Sequence, residues 1–158
     1  MSCAGNVFVI CSMGQKQEIL PAVAAAIFND KGEVLLQKRR DVNKWCIISG
    51  HVEFGETLEE ALLREIAEET NVKARIVRLI GLYSSPESQV YHYEERTVQY
   101  VTSYFEARLM EGIKEGFENE ETGELRFFPV GCLPVDMALI NANWLEDALS
   151  REAGPFVR

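Results

Sequence analysis

The chain has 158 residues, of which 47% are hydrophobic and 26% charged, and its formal net charge is −9. These values are typical of one ordinary globular domain and exclude a fibrous or disordered chain. The excess of acid argues against duplex nucleic acid as a partner, since that binding needs a basic face. No run reaches the roughly 18 apolar residues of a membrane span. We expect one domain over residues 1–158, with 1–20 as an N-terminal strand extension and 143–158 as a C-terminal helix and tail.

The four cysteines indicate a cellular compartment rather than a metal site or a catalytic role. Cys3, Cys11, Cys46 and Cys132 have neither zinc-ligand spacing nor the density of a disulfide framework. Buried thiols in a reducing cytoplasm are the simplest interpretation, and we expect a cytoplasmic protein. Cys46 as a nucleophile is the weaker alternative, because the chain has only two histidines to activate a thiol.

The first predicted elements are strands. Val7–Cys11 is a short apolar run that predicts an edge strand. Ala22–Phe28 and Glu33–Lys38 flank the turn sequence Asn29-Asp30-Lys31-Gly32, which predicts a hairpin. Trp45–Ile48 predicts a brief buried strand that ends at Ser49-Gly50.

A helix follows. Thr57 can cap its first turn, and Glu60, three residues on, completes a capping box. Asn71 tolerates the left-handed conformation that ends a helix. Helical spacing predicts one inward face, made of Leu58, Ala61, Leu62, Ile66 and Ala67.

The second half mixes strands and one helix. Arg75–Tyr83, Thr97–Leu109 and Glu124–Pro129 predict strands, and Asn143–Ser150 predicts a closing helix. Loops occupy the intervals, and there is no regular βαβ repeat. This order favours an α+β fold with a mixed, curved sheet flanked by helices.

Three glutamates of the predicted helix lie on one face. Glu65 and Glu69 are four residues apart, and Glu68 lies between them. Like charges at this spacing repel by a few tenths of a kcal/mol per pair, and a cation offsets the repulsion. Oxygen ligands suit Mg²⁺ or Mn²⁺. The alternative is a solvated acidic helix face, which is common.

Residues next to these glutamates favour the metal site. Glu56 ends a loop bounded by Gly50 and Gly55, whose flexible backbone lets the Glu56 side chain turn back over the helix. Arg64 can pair with Glu68 or with Glu60 and hold the carboxylates in place.

Together, residues 50–72 resemble the Nudix box, Gly-x5-Glu-x7-Arg-Glu-U-x-Glu-Glu-x-Gly-U, where U is a bulky aliphatic residue. The matching residues are Gly50, Glu56, Arg64, Glu65, Ile66, Glu68, Glu69 and Val72. The one departure is Asn71 at the position of the last Gly. The likeness extends over roughly residues 20–135, since 35–45 and 121–129 are similar to segments on either side of the box.

This resemblance implies an α/β/α sandwich and a hydrolase that uses Mg²⁺, or Mn²⁺, to cleave a pyrophosphate bond in a nucleoside diphosphate linked to another group. The implied metal ligands are Glu56, Glu65, Glu68, Glu69 and the carbonyl of Gly50. Arg64 would orient the carboxylates. The general base is either a box glutamate or a late acid, with Glu121 favoured over Glu120 and Glu124 by its distance from the strand that follows.

Candidates for substrate contacts are arginines and aromatic residues. The guanidinium groups of Arg39 and Arg40 match phosphate oxygens, although solvated side chains at a strand end are as good an interpretation. Aromatic rings that can stack on a base are those of Phe54, Tyr83, Tyr91 and Tyr93. His51 and His92 are polar candidates, and Trp45 is assigned to the core.

The substrate stays open among the small nucleotides that the family cleaves, including nucleoside triphosphates, ADP-ribose and nucleotide sugars. Pro86 is a slight hint of ADP-ribose, and the acidic surface argues against capped RNA. A non-catalytic nucleotide-binding module on the same fold is the main alternative function. Homodimer formation through the apolar N-terminal strand also stays open.

Overall fold

Strands are the commonest regular elements of the molecule. The computed structural model describes residues 16–152 and 154–158; the predicted strand Val7–Cys11 lies outside them. The strands are β1 (Lys16–Ile27), β2 (Val34–Arg39), β3 (Lys44–Cys46), β4 (Ile48–His51), β5 (Ala74–Tyr83), β6 (Val90–His92), β7 (Arg96–Leu109), β8 (Thr122–Phe128) and β9 (Phe156–Val157). The helices are α1 (Leu58–Thr70), α2 (Pro86–Gln89) and α3 (Trp144–Leu149).

Two sheets organise these strands. The larger has six strands along the path β4-β1-β7-β5-β9, with β6 also paired to β7. The long β1 and β7 run parallel, whereas β4 and β5 are antiparallel to their neighbours β1 and β7. The smaller sheet has the order β3-β2-β8 and is antiparallel. The mixed sheet that the sequence predicts is therefore present.

The core lies on both faces of the large sheet. Successive side chains of a strand point to opposite faces, and β1 shows this alternation. Val23 packs in a cluster with Ala61, Leu62 and Ile66 of α1. The neighbouring Ala24 belongs to a second cluster, which contains Trp144 of α3. The two helices therefore cover opposite faces, and the predicted α/β/α arrangement is confirmed.

The predicted hairpin is right in its turn and wrong in its pairing. The side-chain oxygen of Asn29 accepts from the backbone N–H groups of Lys31 at 3.0 Å and Glu33 at 2.9 Å, which closes the turn. Beyond the single bridge between Phe28 and Val34, however, β1 and β2 enter different sheets. The buried β2 finds its backbone partners in β3 and β8 instead.

Two shorter segments also differ from the prediction. The stretch that was expected to form one strand at Trp45–Ile48 divides into β3 and β4, one in each sheet. The expected loop after β5 contains α2 and β6. No helix in residues 16–152 or 154–158 combines the length and apolar character of a membrane span.

Both ends of α1 match the prediction. The Thr57 side chain accepts from the Glu60 N–H, and the Glu60 carboxylate accepts from the Thr57 N–H at 2.8 Å. Asn71 is left-handed, with φ 55° and ψ 26°, and its N–H donates to the Ala67 carbonyl. The predicted inward face is wrong at Leu58, which is 40% exposed. Leu58 lies in the first turn, before Ala61, the first residue of α1 that packs in the core cluster.

Candidate active site

Arg64 lies among the carboxylates of α1 and the loop before it. Its guanidinium donates to both oxygens of Glu56, at 2.7 and 3.0 Å, and to Glu65 at 2.8 Å. It also reaches Glu68 at 3.3 Å and the main-chain carbonyl of His51 at 3.0 Å. The Arg64 side chain therefore holds the carboxylates of three glutamates and the end of β4 in a fixed arrangement. Of the two predicted partners, Arg64 contacts Glu68, whereas the Glu60 carboxylate is bound to the cap.

Glu56 is firmly ionised by these contacts. The Arg64 guanidinium, and then the backbone N–H of Glu53, lower the pKa of Glu56 to about 2. The Glu53 N–H donates to Glu56 at 3.0 Å. The Glu56 side chain thus turns back over the helix, as its position in the sequence suggests.

Glu65 lies directly over β4 at Gly50. A Cβ atom at position 50 would overlap the Glu65 carboxyl group, so any other residue there would displace that carboxyl from its present position. Burial raises the pKa of Glu65, while the Arg64 guanidinium opposes that shift. The side chain has an exposed fraction of 14%, so it is largely buried but still accessible to water.

Glu69 is the most buried carboxylate of the helix, at 5% exposure. Its Oε2 accepts from the Thr122 hydroxyl, which is also 2.9 Å from the Gln37 side-chain oxygen. Burial raises the pKa of Glu69, the Thr122 hydrogen bond opposes this, and the neighbouring Glu121 carboxylate raises it further.

The late acid Glu121 is thereby brought to α1. Its neighbour Thr122 donates to Glu69, and the Glu121 carboxylate lies near enough to Glu69 to raise the pKa of that group, although the two residues are far apart in sequence. Glu124, by contrast, pairs with Arg126 on β8. The geometry is consistent with Glu121 as the late acid, and its role as a base stays a prediction.

A cleft of about 610 Å³ opens on the sheet face opposite α1. Ala24 and Ser49 belong to its floor, and the segment 138–144 forms a wall. Its aromatic lining consists of Tyr83, Tyr91, Tyr93, Tyr104 and Trp144. This volume lies within the range of small-molecule sites, which combine an apolar lining with a few polar groups.

Arg39 connects the cleft with the acidic site. It lines the cleft, and it lies close enough to Glu121 to interact with it electrostatically. Its guanidinium donates to both oxygens of Asp41, at 3.0 and 2.7 Å. Hydrogen bonding to Asp41 raises the pKa of Arg39, so the side chain is always charged.

The other predicted contacts divide into two groups. Tyr83 and Tyr91 line the cleft, but the Tyr83 hydroxyl donates to Asp147 at 2.6 Å, so only its ring is available. Arg40 and Phe54 are not among the cleft residues, and Phe54 is fully exposed in the loop before α1. The geometry gives no support to substrate contacts by these two.

The two histidines and Cys46, the weaker candidates for catalysis, have neighbours in the structure. The His51 ring is 2.8 Å from the Tyr100 hydroxyl, and His92 is 3.1 Å from Thr97. Burial raises the pKa of Cys46 to about 11, which leaves too little thiolate for a nucleophile near neutral pH. No sequence pattern indicates Gln37 or Asn119, whereas Thr122 adjoins the candidate Glu121.

The donor groups of α1 fit a hard divalent cation in kind, since all are carboxylate or carbonyl oxygens. Within the part of the chain that the structure describes, no three Cys, His, Asp or Glu side chains are already gathered as ligands. The Arg64 guanidinium occupies oxygens of Glu56, Glu65 and Glu68, and Glu69 faces Thr122.

The molecule is an α+β protein in which a mixed sheet lies between helices. One of these helices, α1, carries carboxylates that are grouped around Arg64. The model of the NUDIX domain family matches residues 18–148, and the chain belongs to that family. The extension of the domain to residues 1–158 stays a prediction.

Relatives of known name match over part of their length. The chain is 42% identical over 71 residues to an ADP-ribose pyrophosphatase of Methanocaldococcus jannaschii, which covers 42% of each protein. It is 38% identical over 80 residues to an RNA pyrophosphohydrolase of Mannheimia succiniciproducens, covering 51% of this chain and 40% of that protein. The chain thus spans less than half the length of these curated relatives.

A solved structure titled as a UDP-X diphosphatase is similar over a longer range. It shares 28% identity and a TM-score of 0.67, with 81% of this chain and 60% of that chain covered. An ADP-ribose pyrophosphatase from Streptococcus suis has a TM-score of 0.68 at 22% identity, covering 88% and 98% of the two chains. The second likeness shows the fold alone.

Proposed function

We propose that this chain hydrolyses the pyrophosphate bond of a small nucleotide, a nucleoside diphosphate linked to another group, with the help of a divalent cation. The observation that carries the proposal is the ordered acidic face of α1. Arg64 fixes its carboxylates, and Gly50 leaves space for one of them. A solvated acidic face needs neither feature.

Glu65, Glu68 and Glu69 would hold the cation, with the Gly50 carbonyl and Glu56 as additional ligands. Family members generally depend on a divalent metal, and these oxygen donors favour Mg²⁺, with Mn²⁺ as an alternative. When bound, Mg²⁺ supplies charge neutralisation for the phosphates and activation of a water.

The side chains around the cation site have separate tasks. Arg64 keeps Glu56 ionised and orients the carboxylates that it contacts. Arg39, between the cleft and Glu121, would bind phosphate oxygens through its guanidinium. The rings of Tyr83 and Tyr91 would hold the nucleoside in the cleft. Glu121 or a box glutamate would accept the proton of the attacking water.

Named relatives narrow the first substrates to try. ADP-ribose and nucleoside-diphosphate sugars follow from the pyrophosphatase and UDP-X diphosphatase relatives. Both are nucleoside diphosphates linked to another moiety. A phosphate site beside a cleft of about 610 Å³ would suit substrates of this class. We expect the reaction to take place in the cytoplasm.

A substrate panel tests the proposal. The full chain is incubated with ADP-ribose, UDP-sugars, nucleoside triphosphates and 5′-triphosphate RNA, with Mg²⁺, Mn²⁺ or a chelator, and products are resolved by chromatography. We expect metal-dependent release of a nucleoside monophosphate from at least one small nucleotide. Binding of a nucleotide without any turnover would instead favour a non-catalytic module, and the proposal would be abandoned.

A further inference from the structure

The loop 110–121, which carries Glu121, is strongly acidic and is therefore repelled by other acidic groups. Its acids are Glu111, Glu115, Glu118, Glu120 and Glu121, against the single base Lys114. This segment ends beside the acidic face of α1, since the hydroxyl of Thr122, the residue after Glu121, donates to Glu69. Like charges repel, so the loop needs specific attachments in order to stay there.

Asn119 supplies one attachment, to α1. Its side-chain NH₂ donates to the Glu68 carbonyl at 3.0 Å. That carbonyl is in the last turn of α1, where carbonyl groups have no partner within the helix. The side-chain oxygen of Asn119 accepts from the backbone N–H groups of Glu121 at 2.9 Å and Thr122 at 2.6 Å. One amide group therefore ties the backbone at 121 and 122 to the helix.

Arg40 supplies the other attachment, to the end of β2. Its backbone N–H donates to the Glu121 carbonyl at 2.8 Å. Its guanidinium donates to the Asn119 carbonyl at 2.8 Å and pairs with Glu118. Arg40 thus contacts three residues of the acidic loop, and its charge offsets the repulsion there.

We infer that Asn119 and Arg40 are positioning residues, which together hold Glu121 beside Glu69 at the edge of the proposed metal site. This inference rests on the proposed function and adds to it. It also gives Arg40 a different task from the phosphate contact that the sequence suggests. Asn119 fixes the loop to α1 and Arg40 fixes it to β2, so Glu121 is held from both sides.

A double-mutant cycle tests this role. In the wild-type background, Asn119→Ala should lower kcat by about 10- to 100-fold, the scale on which misplacing a catalytic group acts, with KM within about twofold. In a Glu121→Gln background, the same change should lower kcat by less than about twofold, because the group that it positions is already lost. Arg40→Ala should behave in the same way. Independent, multiplicative losses would overturn the inference.

Two variants control for stability. Asn29→Ala removes a turn asparagine whose oxygen also accepts from two backbone N–H groups, but between β1 and β2. Arg108→Ala removes an arginine of similar exposure that pairs with Asp30. Both should leave kcat within about twofold of wild type. A loss in these controls equal to that in Asn119→Ala would show general destabilisation and would overturn the inference.

A second measurement does not need turnover. Amide hydrogen exchange of Glu121 and Thr122 should be slow in the wild type and at least about tenfold faster in Asn119→Ala, because their acceptor is gone. Equal exchange in the two proteins would overturn the attachment itself. If exchange changes as expected and the wild type cleaves no nucleotide in the panel, the proposed function fails while the attachment stands.

Discussion

At the scale of single residues, Gly50 shows how a backbone position sets the geometry of an acidic site. The Glu65 carboxyl occupies the space in which any other residue would have its Cβ. The strand can pair with β1 whatever the residue at 50, since the register Val23↔Gly50 depends on the backbone. The requirement for glycine therefore comes from Glu65 and not from the sheet.

Gly50→Ala should affect the position of Glu65 without affecting the pairing of β4 with β1. The added methyl group must displace the Glu65 carboxyl, so we expect kcat to fall by about tenfold or more, as with other misplaced catalytic groups. Gly112→Ala is the matched control, because a Cβ there meets nothing within 4 Å. Steady-state kinetics with Mg²⁺ would measure both. Unchanged kcat in Gly50→Ala would show that the position of Glu65 is unimportant.

At the scale of elements, α1 ends at a residue that departs from the family pattern. Asn71 takes the left-handed conformation, with φ 55°, that glycine adopts at lower cost. Asn71→Gly should therefore raise the free energy of unfolding by a few tenths to about 1 kcal/mol, and Asn71→Ala should lower it. Urea unfolding measures both changes. Shifts of the same sign in the two variants would contradict this explanation of the cap.

The ends of α1 could be predicted because they depend on neighbours in sequence. Thr57, Glu60 and Asn71 act within a turn of the helix end. The division into two sheets could not be predicted in this way. β2 pairs with β8, and the register Val34↔Phe128 joins residues far apart in the chain. Local patterns contain no information about that pairing.

The candidate site also combines features that depend on sequence neighbours with features that depend on distant residues. The box glutamates and Arg64 come together because one helix carries nearly all of them. Spacing predicts Glu121 as the late acid, but its attachments through Asn119 and Arg40 arise only when β2, α1 and the loop meet. The cleft is assembled from several strands, α2 and the segment 138–144, which are far apart in the chain. It includes some of the predicted substrate contacts, namely Arg39, Tyr83, Tyr91 and Tyr93.

At the scale of the whole molecule, the C-terminal strand joins the sheet edge to the cleft. β9 pairs with β5, and the Arg158 side chain donates to both oxygens of Asp147, at 2.9 and 2.6 Å. Asp147 in turn accepts from the hydroxyl of Tyr83, whose ring lines the cleft. The last residue described thus helps to hold a cleft wall.

This link predicts a dependence of stability on pH. Burial alone would raise the pKa of Asp147, but hydrogen bonds from Arg158 and Tyr83 lower it below 3.8. A lowered carboxyl pKa stabilises the fold above the unfolded-state value, and that contribution is lost as the pH falls through the folded-state value. Arg158→Ala should therefore be less stable than wild type at pH 7, with a gap that narrows below pH 3.8. A gap of constant size in urea unfolding would contradict this role.

In the proposed function, the acidic face of α1 holds a cation and promotes hydrolysis. The most direct measurement compares Glu68→Gln and Glu69→Gln with Glu59→Gln, an exposed glutamate of the same helix. Mg²⁺ binding is followed by calorimetry and kcat is followed on the best nucleotide of the panel. We predict that both face variants weaken Mg²⁺ binding and lower kcat by about 100-fold or more, while Glu59→Gln retains both. Equal behaviour of all three variants would contradict the account.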